Sequence, residues 1–166
     1  MRIGVLGAGS WAIALTVLLH KRGHQVSMWE FNPQDAEMLQ QKREHPVKLP
    51  GIRIPDDVDI NNDIAATVKA SEIIICAVPS QTMRSTMKRI AQLCTDKEIS
   101  SIQGWVIVAK GIETDTLKLM TDVLLEELPQ ITSDKLLVLS GPSHAEEVSR
   151  DIPSTVVAAS ENRELA

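Results

Sequence analysis

The sequence predicts an α/β fold, a doubly wound and mostly parallel sheet with helices on both faces. Two observations carry this expectation. Short β-branched or aliphatic runs alternate with amphipathic stretches along nearly the whole chain. Most of those runs are apolar at successive positions rather than at every second one. A strand that is apolar on both faces meets water on neither, which is the condition of a parallel sheet covered by helices on each side.

Taken in chain order, a first strand is expected over Arg2–Leu6 and leads into a helix over about Ser10–Arg22. Gln25–Trp29 is the next strand and Pro33–Arg43 the helix after it. The stretch from His45 to Asn62 breaks the rhythm, with Pro46, Pro50, Pro55 and Gly51 among several acids. It reads as a long connection around a short extended piece, either functional or a plain surface excursion between layers. The alternation then resumes: helix Asp63–Ala70, strand Glu72–Ala77, helix Gln81–Leu93, strand Trp105–Ala109 and helix Thr116–Leu128. Strand Leu136–Leu139, helix Ser143–Arg150 and strand Ser154–Ala159 complete it. No internal repeat or low-complexity tract interrupts the order.

A chain of 166 residues has room for one ordinary domain and not for two full-sized ones. With 43% hydrophobic and 23% charged residues of mixed sign, it should bury a real core rather than remain disordered. Its net charge of −5 argues against a phosphate-backbone footprint, and 2% aromatic residues against stacking platforms for single strands. The expectation is no nucleic-acid partner, so any anionic ligand must be held locally. Cys76 and Cys94 have no ligand-like spacing, which fits a reduced cytoplasmic interior better than a disulfide scaffold, and no metal site is expected. The apolar N-terminal stretch breaks at Gly7, before the length of a signal peptide, and no segment has the run of apolar residues that a membrane span needs. The polar end, Glu161 to Ala166, stops without a cap or closing strand, and reads as a cut inside a longer protein.

The first strand is followed by Gly7-Ala8-Gly9-Ser10-Trp11-Ala12, the G-x-G-x-x-[G/A] pattern with a strand before it and a helix after. Gly7 permits a tight turn, Gly9 lets the backbone approach a pyrophosphate, and Ala12 keeps the helix close to the sheet. Free N–H groups and the positive end of the helix dipole would then meet the phosphate charge without a basic patch. Glu30 follows the second strand about twenty residues on, where such folds set an acid against the adenosine ribose 2′-OH. A carboxylate there repels a 2′-phosphate and favours NAD over NADP, although Arg53 or another mobile cation would admit NADP as well. The bland alternative is a glycine turn of purely structural use and a solvated Glu30.

Gly7, Glu30, Pro79-Ser80-Gln81, Lys110-Gly111 and Ser140-Gly141-Pro142-Ser143 each come directly after an expected strand. All would lie on one edge of the sheet, where open parallel sheets bind their ligands. Lys110 is the only cation among them, placed to bind an anion or polarise a carbonyl oxygen, or else an ordinary lysine reaching solvent. The turn at Gly141 to Ala145 opens a helix, so its amides and the Ser143 hydroxyl form a second anion cradle. Other candidates are declined: His144 as a surface residue, Glu126-Glu127 and Glu146-Glu147 as solvated pairs on different helix faces, Met83 and Met87 as a core stripe, and Cys76 as a buried hydrophobe.

Together, Gly7-Ala8-Gly9-Ser10-Trp11, Val78-Pro79-Ser80, Ala109-Lys110-Gly111-Ile112-Glu113 and Leu139-Ser140-Gly141-Pro142-Ser143-His144-Ala145-Glu146-Glu147 resemble NAD(P)-dependent glycerol-3-phosphate dehydrogenase. The resemblance spans nearly the whole chain. It implies a Rossmann-type NAD(P)-binding domain over residues 1–160, with 161–166 beginning the connection to a helical C-terminal domain that is absent. It implies that Ser10, Trp11 and Lys110 contact the cofactor, that Phe31 lies near its adenosine end, and that Ala145 lies near the nicotinamide. Lys110, Gly141 and Ser143 would face the substrate, dihydroxyacetone phosphate or glycerol 3-phosphate, in glycerophospholipid synthesis. The catalytic lysine belongs to the missing domain, so this half alone is expected to turn over little or nothing. Ala12 stands where the family usually has a third glycine, and Glu30-Phe31-Asn32 lacks the arginine many bacterial relatives carry near the ribose. Homodimers are common in such folds and remain open here. Two other readings stay beside this one: another two-domain dehydrogenase of a hydroxy acid or sugar acid, and a non-catalytic module that senses a dinucleotide.

Overall fold

The computed structural model describes residues 1–166. Seven strands form one sheet: β1 (Arg2–Leu6), β2 (Gln25–Trp29), β3 (Asp59–Asn61), β4 (Ile73–Cys76), β5 (Gly104–Ile107), β6 (Leu136–Ser140) and β7 (Val157–Ala159). Seven α-helices accompany them: α1 (Ser10–Lys21), α2 (Pro33–Lys42), α3 (Ile64–Lys69), α4 (Met83–Leu93), α5 (Asp96–Ser101), α6 (Met120–Glu127) and α7 (Ala145–Val148). Across the sheet the order is β3-β2-β1-β4-β5-β6-β7. Every pairing is parallel except that of β7, which runs antiparallel along β6 and leaves its own side chains exposed.

The two-residue period of the strands splits the core in two. Leu6, Trp29, Ile74 and Trp105 point to one face and pack under α3, α4, α5 and α6. Val5, Met28 and Ile75 point to the other and pack under α1 and α2. Cys76 lies in the first of these layers, where burial pushes its thiol up to about 12. Met83 and Met87 are fully buried along the same layer, four residues apart on one face of α4.

Several elements depart from the sequence expectation. The piece expected to be extended within the connection after α2 is β3, which hydrogen-bonds to the outer side of β2. The connection before it runs over the surface, with most of its residues exposed, and is anchored to the layer of α1 and α2 by buried Leu49, Ile54 and Val58. Helix α5 lies in a segment left without regular structure, opened by a capping box in which Thr95 and Glu98 satisfy each other's backbone N–H groups. The helix expected from Thr116 starts only at Met120. Before it, Ile112 and Leu119 form an antiparallel bridge, Glu113 N–H donates to the Lys118 carbonyl, and Leu117 is left-handed at φ 57°. The last predicted helix also shortens to Ala145–Val148, because Ser143 N–H is turned back onto the Gly141 carbonyl at 3.0 Å. The final strand is three residues long rather than six as expected, since only Val157–Ala159 pairs with β6.

Ile74 is fully buried on a central strand, between the layer helices and its neighbours on β1 and β5. Truncation to alanine leaves a void that close-packed surroundings cannot fill, so Ile74→Ala should cost about 2–5 kcal/mol of unfolding free energy. Urea unfolding followed by circular dichroism measures this, and a loss much below that range would mean the sheet centre relaxes around the void.

Candidate dinucleotide site

The strand order reverses between β1 and β4: the chain runs outward from β1 through β2 to β3, and outward the other way from β4 through β5 to β6. Helix α1 leaves β1 toward one face and α4 follows β4 toward the other. The carboxyl ends of these two neighbouring strands therefore diverge, and a cleft of about 1100 Å³ opens there. It is lined by the turn from Gly7 to Ala12, by Glu30 and Phe31 after β2, by Val78-Pro79-Ser80 after β4, and by Lys110 after β5.

Gly7 makes the turn possible. Its N–H donates to the Trp29 carbonyl at 2.8 Å with φ at 108°, and a Cβ there would lie 3.0 Å from the Ala77 carbonyl oxygen. Any other residue would combine left-handed strain with a collision against β4's continuation. Gly9 differs: its backbone is extended, and a Cβ would have no neighbour within 4 Å. The space beside Gly9 is thus open cleft. Helix α1 begins at this point with no side-chain cap and no acid in its first turn, whereas α2 and α3 are capped by Asn32 and Asp63. Uncapped N–H groups, a missing side chain and an uncompensated helix dipole fit a diphosphate. Ala12 is fully buried under this turn, which holds α1 against the sheet.

Glu30 is not a solvated charge. Its side chain is only 11% exposed, Oε1 accepts the Asn32 N–H at 3.0 Å, and Oε2 lies 4.0 Å from Lys48 Nζ. Phe31 beside it is largely exposed, with its ring edge against Trp29 and the Arg89 guanidinium 5.7 Å from its centroid. Lys48, Lys88 and Arg89 therefore join Lys110 as cations of the cleft. Sequence reasoning missed these three because none follows a strand directly. Arg53, weighed as the mobile cation, pairs with Asp56 at 2.7 Å and does not line the cleft.

Lys110 extends from the end of β5 and donates to the Gly141 carbonyl at 3.1 Å, joining the strand ends of β5 and β6. Gly141 and Ser143 lie beyond the cleft lining on that side, and Ala145 is buried against the layer of α1. The expected second anion cradle loses a donor, since Ser143 N–H is already bonded and precedes the short α7.

The loop after Lys110 is clamped. Gln81 donates to the Ile112 carbonyl at 2.7 Å and accepts from the Thr114 N–H at 3.1 Å. Arg84 grips Glu113 with two parallel bonds of 2.8 Å, from Nε and Nη2, and its remaining donors reach Glu126 and Glu127. The solvated reading of Glu126-Glu127 is thereby corrected: one guanidinium fork meets both carboxylates from across the α4–α6 contact. Lys118 also pairs with Glu126. Arg84 and then Thr116 hold the Glu113 carboxyl down at about 2, against an ordinary 4.5.

The profile of the family described as "NAD-dependent glycerol-3-phosphate dehydrogenase N-terminus" matches residues 2–166. The chain belongs to this family. It is 43% identical over 165 residues to glycerol-3-phosphate dehydrogenase [NAD(P)+] of Fusobacterium nucleatum, covering 99% of this chain and 48% of that protein. It is 45% identical over 166 residues to the enzyme of that name from Prosthecochloris aestuarii, covering 100% of this chain and 48% of that protein. The crystal structure of glycerol-3-phosphate dehydrogenase from Coxiella burnetii superposes with a TM-score of 0.87 at 27% identity, covering 99% of this chain and 48% of that one. The chain thus spans about half the length of the glycerol-3-phosphate dehydrogenases it matches. No cluster of three or more His, Cys, Asp or Glu side chains is placed to hold a metal, and no helix is long and apolar enough to cross a membrane.

The Arg84 clamp makes a pH prediction. A carboxyl whose folded-state value is depressed stabilises the fold fully above its ordinary 4.5 and loses that contribution as pH falls toward 2. Thermal unfolding should therefore shift downward between about pH 5 and pH 2, and Glu113→Gln should lower the neutral-pH midpoint while flattening that part of the profile. An unchanged profile would remove the clamp from the stability of this loop.

Proposed function

We propose that this chain is the cofactor-binding half of an oxidoreductase that transfers a hydride between NAD(P)H and dihydroxyacetone phosphate or sn-glycerol 3-phosphate, in glycerophospholipid synthesis. Residues 1–160 form the dinucleotide domain and 161–166 begin the link to a second domain. The observation that carries this reading is the cleft at the strand-order reversal, which brings the uncapped start of α1, Glu30 and Lys110 to one place. Family membership and the names of the relatives support the substrate. The two free, buried thiols are compatible with a reducing, cytoplasmic setting.

The bound dinucleotide supplies the hydride. This chain's residues bind and orient. N–H groups of the first turn of α1 would hold the diphosphate, with Gly9 leaving room for it and Ser10 and Trp11 lining the cleft beside it. Glu30 would hold the ribose, and Phe31, which lines the cleft beside it, would offer the adenosine end an apolar contact. Ala145 is assigned to the nicotinamide end. Gly141 and Ser143 are assigned to the substrate side, next to Lys110, whose ammonium is tethered by the Gly141 carbonyl. There Lys110 would stabilise negative charge developing on the substrate oxygen, and the tether fixes its direction before substrate arrives. The proton-donating lysine is assigned to the second domain, so the half-chain binds without appreciable turnover.

Calorimetric titration with NADH tests the reading. The parent chain should bind. Gly9→Ala should change stability by less than about 1 kcal/mol, because the new methyl meets open space at a helix start. The same change should weaken NADH at least about tenfold, because that space is where the diphosphate sits. Equal affinity in parent and variant would remove the diphosphate from α1. In the full-length protein, Lys110→Ala should cut kcat/KM about tenfold to a thousandfold, and an unaltered value would end its assigned role.

A further inference from the structure

We propose that Lys48 is the residue that sets the choice between NADH and NADPH in this chain, acting as the movable counter-ion of Glu30. The proposal rests on the dinucleotide reading above and adds a determinant to it.

A carboxylate at the end of β2 is expected to exclude a 2′-phosphate by repulsion, but only if its charge is uncompensated. Here it is compensated. Glu30 is almost fully covered, one oxygen is committed to the Asn32 N–H, and the Lys48 ammonium stands 4.0 Å from the other. No other cation is within ion-pairing distance of Glu30. At that separation the ammonium attracts the carboxylate without a direct hydrogen bond, so it remains free to turn toward a ligand.

The backbone beneath Lys48 is fixed, while its head is not. The buried His45 ring accepts the Val47 and Lys48 N–H groups through Nδ1, at 3.3 and 3.1 Å. Leu49, the next residue, is buried in the layer of α1 and α2. Lys48 is thereby pinned at the cleft wall with a side chain 38% exposed. Across the cleft, Arg89 lies over the Phe31 ring and pairs with no carboxylate. A ribose 2′-hydroxyl can donate to Glu30, with Lys48 left in place. A 2′-phosphate instead draws Lys48 away from Glu30 and gains Arg89 from the other side. The same pocket then admits both dinucleotides, and the ammonium of residue 48 decides the ratio.

The test measures NADH and NADPH affinity separately by calorimetry for the parent chain and for Lys48→Met, Lys48→Arg and Glu30→Gln, each checked for an unchanged thermal midpoint. The parent is expected to bind both. Lys48→Met should weaken NADPH about tenfold or more while NADH stays within about threefold, because it removes one cation from the phosphate and uncovers Glu30. Lys48→Arg should restore NADPH, which loss of packing alone would not allow. Glu30→Gln should shift the ratio toward NADPH. If Lys48→Met leaves the NADPH to NADH ratio unmoved, or lowers both affinities alike, the assignment to Lys48 is overturned while the dinucleotide reading stands. If the parent binds neither dinucleotide, both are overturned.

Discussion

The reversal of strand order between β1 and β4 is the constraint on which the rest depends. Two parallel neighbours that send their following helices to opposite faces of a sheet cannot also cover the edge between them. The turn at Gly7 is the sharpest expression of this. It must leave β1 within hydrogen-bonding distance of β2, pass the Ala77 carbonyl closely, and still deliver α1 to the far layer. Only a residue without a side chain meets all three demands. The consequence is a helix start whose N–H groups face the open cleft without a side-chain cap, whereas α2, α3 and α5 are capped by Asn32, Asp63 and Thr95.

The electrostatics of the cleft follow from where charge is placed rather than from how much there is. The chain carries a net −5, yet Lys48, Lys88, Arg89 and Lys110 converge on the cleft, against Glu30. Acidic residues gather elsewhere, above all on the outer flank of α4 and α6, where Arg84 and Lys118 draw in Glu113, Glu126 and Glu127. That flank has a mechanical use as well. Glu113 belongs to the same loop as Lys110, so the guanidinium that neutralises it also holds the segment leading away from the cleft.

Much of this was legible from residue order. Strands apolar at successive positions betrayed burial on both faces, and the glycine turn was readable because its requirements are local: a strand before it, a helix after it and small residues between. The Thr95-to-Glu98 capping box is a local signal of the same kind, but the segment it opens lacks the long apolar period that marks a helix. The delayed start of α6 was not readable. Residues 116–119 have helical composition, but Gln81 and Arg84, distant in the chain, draw the loop out by bonding to Ile112, Glu113 and Thr114. Glu126-Glu127 looked solvated for the same reason: an adjacent acidic pair carries no mark of the arginine that will cover it.

By itself the sequence determined the alternation of strands and helices, the two-sided burial of the sheet and the glycine turn between β1 and α1, because each depends on residues within a few positions of one another. The tertiary structure alone decided which charges face each other. Lys48 meets Glu30, Arg89 meets Phe31 and Arg84 meets three glutamates only because the sheet order and the two opposed layers bring distant segments together, and an ion pair across such a gap leaves no periodic trace in the chain.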